Sequence, residues 1–543
     1  VILLMAPCPV MAQDAAALPA PDAHWPLSGH ATEAVRGAIT TVHGKVDFPS
    51  TNSGASFRGP ESWLEMPAAQ APALGTNDFT LAVWLQSDEA TGFIPGDLAS
   101  QYDTTRRRGF HLTLKSNPGV TSNQSNWRHL QFGIDDDRAS GWRDCGRPGQ
   151  ALFAFALATH QGAVYAGTCE PDLGQSGRVY RYAGATNWVD CGAPDGANSV
   201  TSFAVHQGSL YAGTGKYRVA GSSLPESPNT TLGGQIFRYL GTNQWLHCGK
   251  LPSTEAVGGM VVFRGSLYAS SLYKPAGFFR YEGGTQWTDC GTPDGTRVVP
   301  LTVHDNFLYA GSYDRGHVYR YDGRAWVDCG PLADNTQTYS FTSYEGRLLV
   351  GTWPSGRVYR FDDIGRWSDL GRLGQELEVM GMAVHNGRLI AGTLPLAEVH
   401  SYEGGTEWKR LAQLDSTPDV KYRRAWTVTE HQGALFCSTL PSGKVFAFSA
   451  GLQVTHDHSL SSNWHHVAAV KSASTLKLYL DGQRVSESAR WSGEPFDLTS
   501  DAPWRIGTGK NGPFNGQLAD LQIYRQALEP AVIRGLAARS PKR

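Results

Sequence analysis

The side chains of this sequence that could bind or react gather in loops that diverge while the segments around them repeat. One such loop carries Lys216, Tyr217 and Arg218, the next Tyr273 and Lys274, the next Tyr313, Asp314 and Arg315, and the next Trp353. The stretch DVKYRRAW adds Lys421, Tyr422, Arg423, Arg424 and Trp426, and loops leading into neighbouring strands carry Arg297, Tyr339, Glu376 and Glu378. Arginine forks match carboxylates, and tryptophan and tyrosine faces stack on sugar rings, so a rim of this make-up suits an anionic saccharide. The ligand-binding candidates are Lys216, Tyr217, Arg218, Lys274, Tyr313, Asp314, Arg315, Trp353, Tyr422 and Arg424. The competing reading is a solvated loop face with no ligand. Lyase chemistry on a uronic acid would need a Tyr or Lys base and a cation neutralising the carboxylate, parts that Tyr217, Tyr313, Lys274 and Arg315 could take. A glycoside hydrolase would need two carboxylates across the site, with Asp314 and Glu378 the nearest pair to consider. The chain has no Ser–His–Asp signature, P-loop, dinucleotide fingerprint or CxxC pair, so no catalytic or metal residue is assigned.

The segments that must position this rim form a repeat. WRDCG begins at Trp142, WVDCG at Trp188, WLHCG at Trp245, WTDCG at Trp287 and WVDCG at Trp326, followed by WSDLG at Trp367 and WKRLA at Trp408. Each start leads through a loop to an apolar run ending in a turn (FAVHQG, LTVHDN, MAVHNG), an LYAGT-type run and a GRVYRY-type run. Four short strands per unit and a spacing of about 40 residues predict a propeller blade, hence a seven-bladed β-propeller over residues 141–451. A lone four-stranded sheet cannot bury both faces, whereas stacked blades can. The leading Trp142–Gly146 segment has no unit before it and the last unit, ending at Lys444–Phe448, lacks a fourth strand. The ring is therefore expected to close by placing Trp142 in the same sheet as Val445. His160, His206, His304, His385 and His431 share one position before a turn and should not converge. Asp144, Asp190, Asp289, Asp328 and Asp369 are expected to pair with backbone or with the arginine of VYRY. Cysteines in equivalent slots of different blades lie too far apart for disulfides and read as small buried hydrophobes. The pattern resembles the Kelch and galactose-oxidase type of propeller in a general way.

The flanks read as two halves of one further domain. FRGPESWLEMP, FTLAVWLQ, GFHLTL and LQFGIDDD precede the repeat; WHHVAAV, LKLYLDGQRV, WRIGTG and FNGQLADLQIYRQAL follow it. In this order they resemble the laminin-G-like, concanavalin A-like jelly roll, which implies an all-β sandwich over residues 24–140 and 452–538 with the propeller inserted into one of its hairpins. Such an insertion requires the guest's ends to lie close together, which the ring closure supplies. The resemblance also implies sugar or protein partners and a possible Ca²⁺, with Asp520 at the position of the family's "F-xGxxD" aspartate and Asp135–Asp137 as a second oxygen-rich segment; Asp520 could equally be a strand-end hydrogen-bonder.

Only 18% of the 543 residues are charged and the formal net charge is −2, leaving no basic footprint for nucleic acid. No apolar run is long enough for a membrane span. The apolar start, VILLMAPCPVMA, followed by a small-residue stretch, suggests an export signal cut after Ala12 within a leader and linker of residues 1–23, and residues 539–543 form a tail. The expectation is an exported (secreted, periplasmic or cell-surface) carbohydrate-recognition protein. A lyase or hydrolase acting on acidic polysaccharide and a protein–protein scaffold are the alternatives.

Overall fold

The computed structural model describes residues 18–49, 53–88, 90, 92, 95–118 and 124–539, so the expected signal segment, including Cys8, lies outside the described residues. Strands from both ends of the chain share two sheets. One runs in the order Val46–Asp47, Ala55–Phe57, Gly516–Tyr524, Phe79–Gln86, His465–Ser472, Thr475–Leu480, Gln483–Glu487. The other runs Thr41–His43, Trp63–Met66, Trp504–Ile506, Asp97–Asp103, Arg108–Pro118, Gln124–Ala139, Ala450–His456. Period-two alternation directs Phe79, Leu81, Val83 and Leu85 of the first sheet and Phe110, Leu112, Leu114, Phe132, Ile134 and Trp504 of the second into one buried core. At roughly 1.5–3 kcal/mol for each large apolar side chain, this layer is the sandwich's main source of stability. The chain leaves at Ala139 and returns at Ala450, which pair directly, with Leu452 opposite Ile134 and Val454 opposite Phe132 further along.

Between those two points the chain forms the propeller. The strand Arg143–Asp144 pairs with Val445–Phe448, Arg143 opposite Ala447 and Asp144 opposite Phe446. Cys145 N–H donates to Val445 O at 2.8 Å, and Trp142 stacks on Phe448 with centroids 5.1 Å apart. The two ends of the ring therefore meet in one sheet. Inner strands contact their successors in chain order, and Arg424–His431 closes on Phe153–His160. The count of free-standing four-stranded blades is five, not the expected seven. Phe153–Asp190 and Ser199–Lys250 instead share one eight-stranded sheet, because the strand Ala163–Cys169 continues past the AGT pattern and Cys169 pairs with Ser199.

Adjacent units are tied at their outer strands. Trp188, Trp245, Trp287, Trp367 and Trp408 each donate Nε1–H to a backbone carbonyl of the preceding unit, those of Cys145, Cys191, Cys248, Cys329 and Leu370, at 2.8–2.9 Å. The glycine that follows this carbonyl residue is required by the approach: at Gly371, after Leu370, with φ of 97°, a β-carbon would lie 2.1 Å from Thr406 O. The aspartates of WxDCG accept from the N–H two residues on, as Asp190 does from Gly192 at 2.8 Å. Their side-chain partner is not the arginine of VYRY. Asp190 lies opposite Tyr180, so alternation puts Arg178 on its face and Arg181 on the other, and Arg178 bonds it at 2.9 Å. The described cysteines are all unpaired, and all but Cys290 are buried. Burial pushes the turn histidines His160 and His304 down to about 4 and also lowers His206, so these three are neutral and dispersed.

The propeller's hairpin-turn end rests on the outer face of the second sandwich sheet. Arg388 forks onto Asp135 at 2.9 and 2.8 Å. Asn386 Nδ2–H donates to Ile134 O and Ala450 O. Glu430 meets Lys115 Nζ at 2.5 Å and His385 Nδ1 at 2.8 Å, all three buried. Burial opposes its ionisation, but Lys115 and His385 hold the Glu430 carboxyl well below the usual range.

Candidate functional site

At the opposite, loop end of the ring the heads of the inner strands converge. Phe153, Phe155, Val299, Met380 and Trp426 pack together with Cys169, Leu272 and the half-buried Tyr217, Tyr273, Tyr313 and Tyr339. The long loop of the second unit contributes Val219, buried in the same cluster, through the short 3₁₀ turn Val219–Ser222.

The predicted rim residues divide into two groups. Most are engaged by neighbouring protein groups. Lys216 bonds Glu226 at 3.1 Å and Ser227 O at 2.8 Å, inside its own loop. Tyr217 Oη pairs with Ser222 Oγ at 2.9 Å, and its ring edges meet Phe153 and Phe155. Arg218 bonds Glu255 at 2.6 Å and lies 4.4 Å over the Tyr273 ring. Asp314 receives Arg297 Nε and Nη2 at 3.0 and 2.9 Å, and Tyr313 packs on Tyr339 at 4.6 Å. Lys274 is 68% exposed, 3.8 Å from Asp314, and Arg315 is exposed.

The second group is Trp353, Tyr422 and Arg424. Trp353 meets Tyr422 edge-on at 6.1 Å, and the Arg424 guanidinium lies 5.9 Å from the Tyr422 ring centre and 5.6 Å from that of Trp426. Arg424 is buried, yet its Nε and Nη1 have no hydrogen-bond partner, and neither does Oε1 of the equally buried Glu378. Both head their inner strands, Glu378–His385 and Arg424–His431.

Protonation limits the chemistry of this end. Burial raises the Tyr217 phenol above its ordinary value, which makes it a poor base for a lyase. Burial pushes Glu378 up to about 8 against the opposing charge of Arg424, so its carboxyl is neutral at pH 7. Burial acts likewise on Asp314, but hydrogen bonds from Arg297 outweigh it and hold the carboxylate below its usual range. The two are held in opposite states, as a hydrolase pair would be, but both oxygens of Asp314 are taken by Arg297.

A concave site lies elsewhere. A cavity of about 720 Å³ opens between the outer face of the second sandwich sheet and the propeller turn at Glu345–Arg347. Trp63, Tyr102, Asp103, Arg347, Asp501 and Arg505 are among the residues lining it. Trp63 stacks on His43 at 4.6 Å with 18° between planes. Arg505 is steadied by Glu65 at 2.9 Å, Asp501 by Arg106 at 2.9 Å, and Tyr102 Oη donates to Asp135 at 2.9 Å. Beneath it, Asp97 accepts from the N–H and Nδ2 of Asn511; burial still pushes its carboxyl up to about 6. Sequence reasoning missed this cleft, whose walls come from four distant segments with no shared motif. The single outward Trp63 in a strand of otherwise alternating core residues is the one signal that pointed there.

The two oxygen-rich positions of the sandwich make contacts with protein groups. Asp520 accepts from His24 at 2.6 Å and from Gln522 at 2.8 Å, and Asp135 and Asp137 face Arg388.

Residues 421–534 match the family model described as the concanavalin A-like lectin/glucanases superfamily. The match begins in the last propeller unit and runs through the sandwich strands that follow it. No curated protein matches the chain. Among solved structures, the chain is similar to virginiamycin B lyase from Staphylococcus aureus (9% identity, 57% of this chain and 99% of that one, TM-score 0.45). It is also similar to the extracellular domain of a putative hybrid two-component system, BT4673, from B. thetaiotaomicron (14% identity, 57% and 39%, TM-score 0.42). A third is the WD40 β-propeller domain of Doa1 (12% identity, 57% and 97%, TM-score 0.42). At identities of 9–14% these likenesses bear on none of the side chains described above. The expected tie to Kelch and galactose-oxidase propellers finds no support in them. The strand pairing and the family match together define a concanavalin A-like sandwich with a β-propeller. No helix among the described residues is long and apolar enough to cross a membrane.

Proposed function

We propose that this is an exported carbohydrate-recognition protein whose ligand is read in the cleft between sandwich and propeller. The observation that carries this reading is the cleft itself: about 720 Å³, polar, and lined by an aromatic ring beside arginines and carboxylates on two rigid modules. Trp63 serves as the stacking platform, and Arg347 and Arg505 with Asp103 and Asp501 address hydroxyls or carboxylates. Titration calorimetry against neutral and uronate-rich oligosaccharides tests it. Trp63→Ala and Arg347→Ala should each weaken binding about tenfold or more, since a stacked ring or a charged hydrogen bond contributes roughly 1–3 kcal/mol. Unchanged affinity in both variants would sink the cleft reading.

One observation favours a second reading, in which the loop end takes an acidic polysaccharide. The unpartnered donors of buried Arg424, beside Tyr422 and Trp353, suit a carboxylate. The remaining rim candidates, Lys216, Tyr217, Arg218, Lys274, Tyr313, Asp314 and Arg315, then shape the mouth. Binding lost in Arg424→Gln and kept in Trp63→Ala would select this end. New absorbance from an unsaturated product, or new reducing ends, would turn either reading into a lyase or hydrolase. Blank results with every glycan leave the protein-interaction scaffold.

A further inference from the structure

The sixth unit breaks a rule that four of its sisters keep. In four units, a basic residue at the head of the third strand is followed two residues later by an aromatic ring: Arg178 and Tyr180, His317 and Tyr319, Arg357 and Tyr359, Lys444 and Phe446. The basic residue pairs across to the aspartate of the outer strand, at 2.9 Å for Arg178–Asp190, 2.9 Å for His317–Asp328, 2.5 Å for Arg357–Asp369 and 2.7 Å for Lys444–Asp144. In the sixth unit the charges are reversed. Glu398 opens the strand Glu398–Gly404 and meets Arg410 at 2.5 Å, and the aromatic slot holds His400. The reversal alone preserves the cross-strand pair and would need nothing more.

Two further features are not explained by it. The loop ahead of the inner strand turns a third group, Glu376, onto the same spot. Ligand atoms of Glu376, Glu398 and His400 all lie within 4.8 Å of one another. Glu376 and His400 are 0% and 2% exposed, and each has an atom with no hydrogen-bond partner, Oε1 and Nδ1 respectively. Their other atoms are fixed: Glu376 Oε2 accepts from Leu396 N at 3.1 Å, and His400 Nε2 lies 3.1 Å from Glu398 Oε2. Gly374 leaves the room, since a β-carbon there would sit 3.3 Å from His400 Cε1 and 3.6 Å from Glu398 Oε2. Buried polar atoms left without a partner call for one.

We propose that Glu376, Glu398 and His400 bind one divalent transition-metal ion, with zinc the best match. Two carboxylate oxygens and one imidazole nitrogen are borderline ligands of the kind zinc takes at about 2.0–2.2 Å. Ligand atoms around a tetrahedral zinc ion stand about 3.3 Å apart, so the three side chains must close in on one another by up to about 1.5 Å to complete the set. Arg410 orients the Glu398 carboxylate from outside, as second-layer partners of metal ligands do. The ion would staple the loop before the strand Glu378–His385 to the strand Glu398–Gly404, two residues from Glu378 at the head of its inner strand.

The test is metal-free full-length protein titrated with Zn²⁺ alone, followed by calorimetry, metal analysis after desalting, and thermal unfolding. The variants are His400→Tyr and Glu376→Asn, each installing the residue a sister unit uses (Tyr359 and Asn335), so that the blade keeps a side chain it already tolerates. The wild type should retain one equivalent and gain thermal stability that saturates at that ratio. Each variant should lose that equivalent, with affinity falling about tenfold or more. The proposal is overturned if the wild type retains no ion, or if both variants retain it with wild-type affinity and the same rise in midpoint.

Discussion

Glu378 and Glu430 stand in adjacent inner strands, both buried, and they end in opposite ionisation states. Glu430 has Lys115 and His385 in contact and stays charged. Glu378 has Arg424 near enough to matter but no direct bond, and burial raises it to about 8. The sign of the consequence follows from the direction of the shift. A carboxyl raised from 4.5 to about 8 favours the folded state fully below pH 4.5, and this contribution is lost as pH rises through about 8. Glu378→Gln keeps the neutral shape at all pH values. It should therefore raise stability by ~1–4 kcal/mol at pH 8.5 and by little at pH 4, read as the difference in unfolding midpoint from wild type. Equal differences at both pH values would show that Glu378 is ionised in the fold. Glu378 was legible as a candidate, since it breaks the repeat at a strand head. Its protonation was not, because that depends on how far Arg424 sits across the ring.

At the scale of the element, the repeat made the Trp and Asp positions visible, and the register decided their partners. Arg181 and Arg178 are both three residues or fewer from the tyrosine of the motif, but only alternate residues share a face, so Asp190 takes Arg178. The tryptophans give a paired prediction. Trp245 Nε1–H donates to Cys191 O at 2.9 Å, whereas Trp142 Nε1, at the seam, is buried with no partner. Trp245→Phe leaves a buried carbonyl without its donor and should cost ~1–2 kcal/mol more in urea unfolding than Trp142→Phe, which removes an unsatisfied donor. Equal losses would mean that the rings act through packing alone. The docking of the strand Arg424–His431 gives a larger effect. Glu430→Gln strands Lys115 in a buried site and should destabilise by ~3–5 kcal/mol. Since the Glu430 pKa is depressed, the wild-type advantage should fade as pH falls below 4.5 toward the folded-state value.

At the scale of the whole molecule, the nesting was readable because the order of sandwich motifs resumes after the repeat where a hairpin would continue. The cleft was not, because Trp63, Arg347 and Arg505 come together only when the guest lies on its host. The sandwich core draws every buried side chain from Ala23–Ile134 and Val454–Ile523, with no contribution from the propeller. Ala139 and Ala450 are direct cross-strand neighbours, so a short Asn-Gly turn can replace residues 140–449 without moving either strand. The outer face exposed by this deletion is largely polar, carrying His111, Lys115, Gln131 and Asp135 beside the rings of Tyr102 and Trp127. We therefore expect the shortened chain to fold as a monomeric sandwich. His111 is the reporter. In the full chain its burial, reinforced by the charge of Lys115, pushes its pKa down to about 3. With the propeller gone, water screens Lys115 and solvates the ring, and NMR titration should find His111 close to the ordinary 6.5. The same chain keeps Trp63 and Arg505 but lacks Arg347, so any saccharide bound in the cleft should be held more weakly by it than by the full protein. A folded sandwich in which His111 stays near 3 would show that the strand itself buries the ring, and affinity equal to the full chain would remove the propeller from the site.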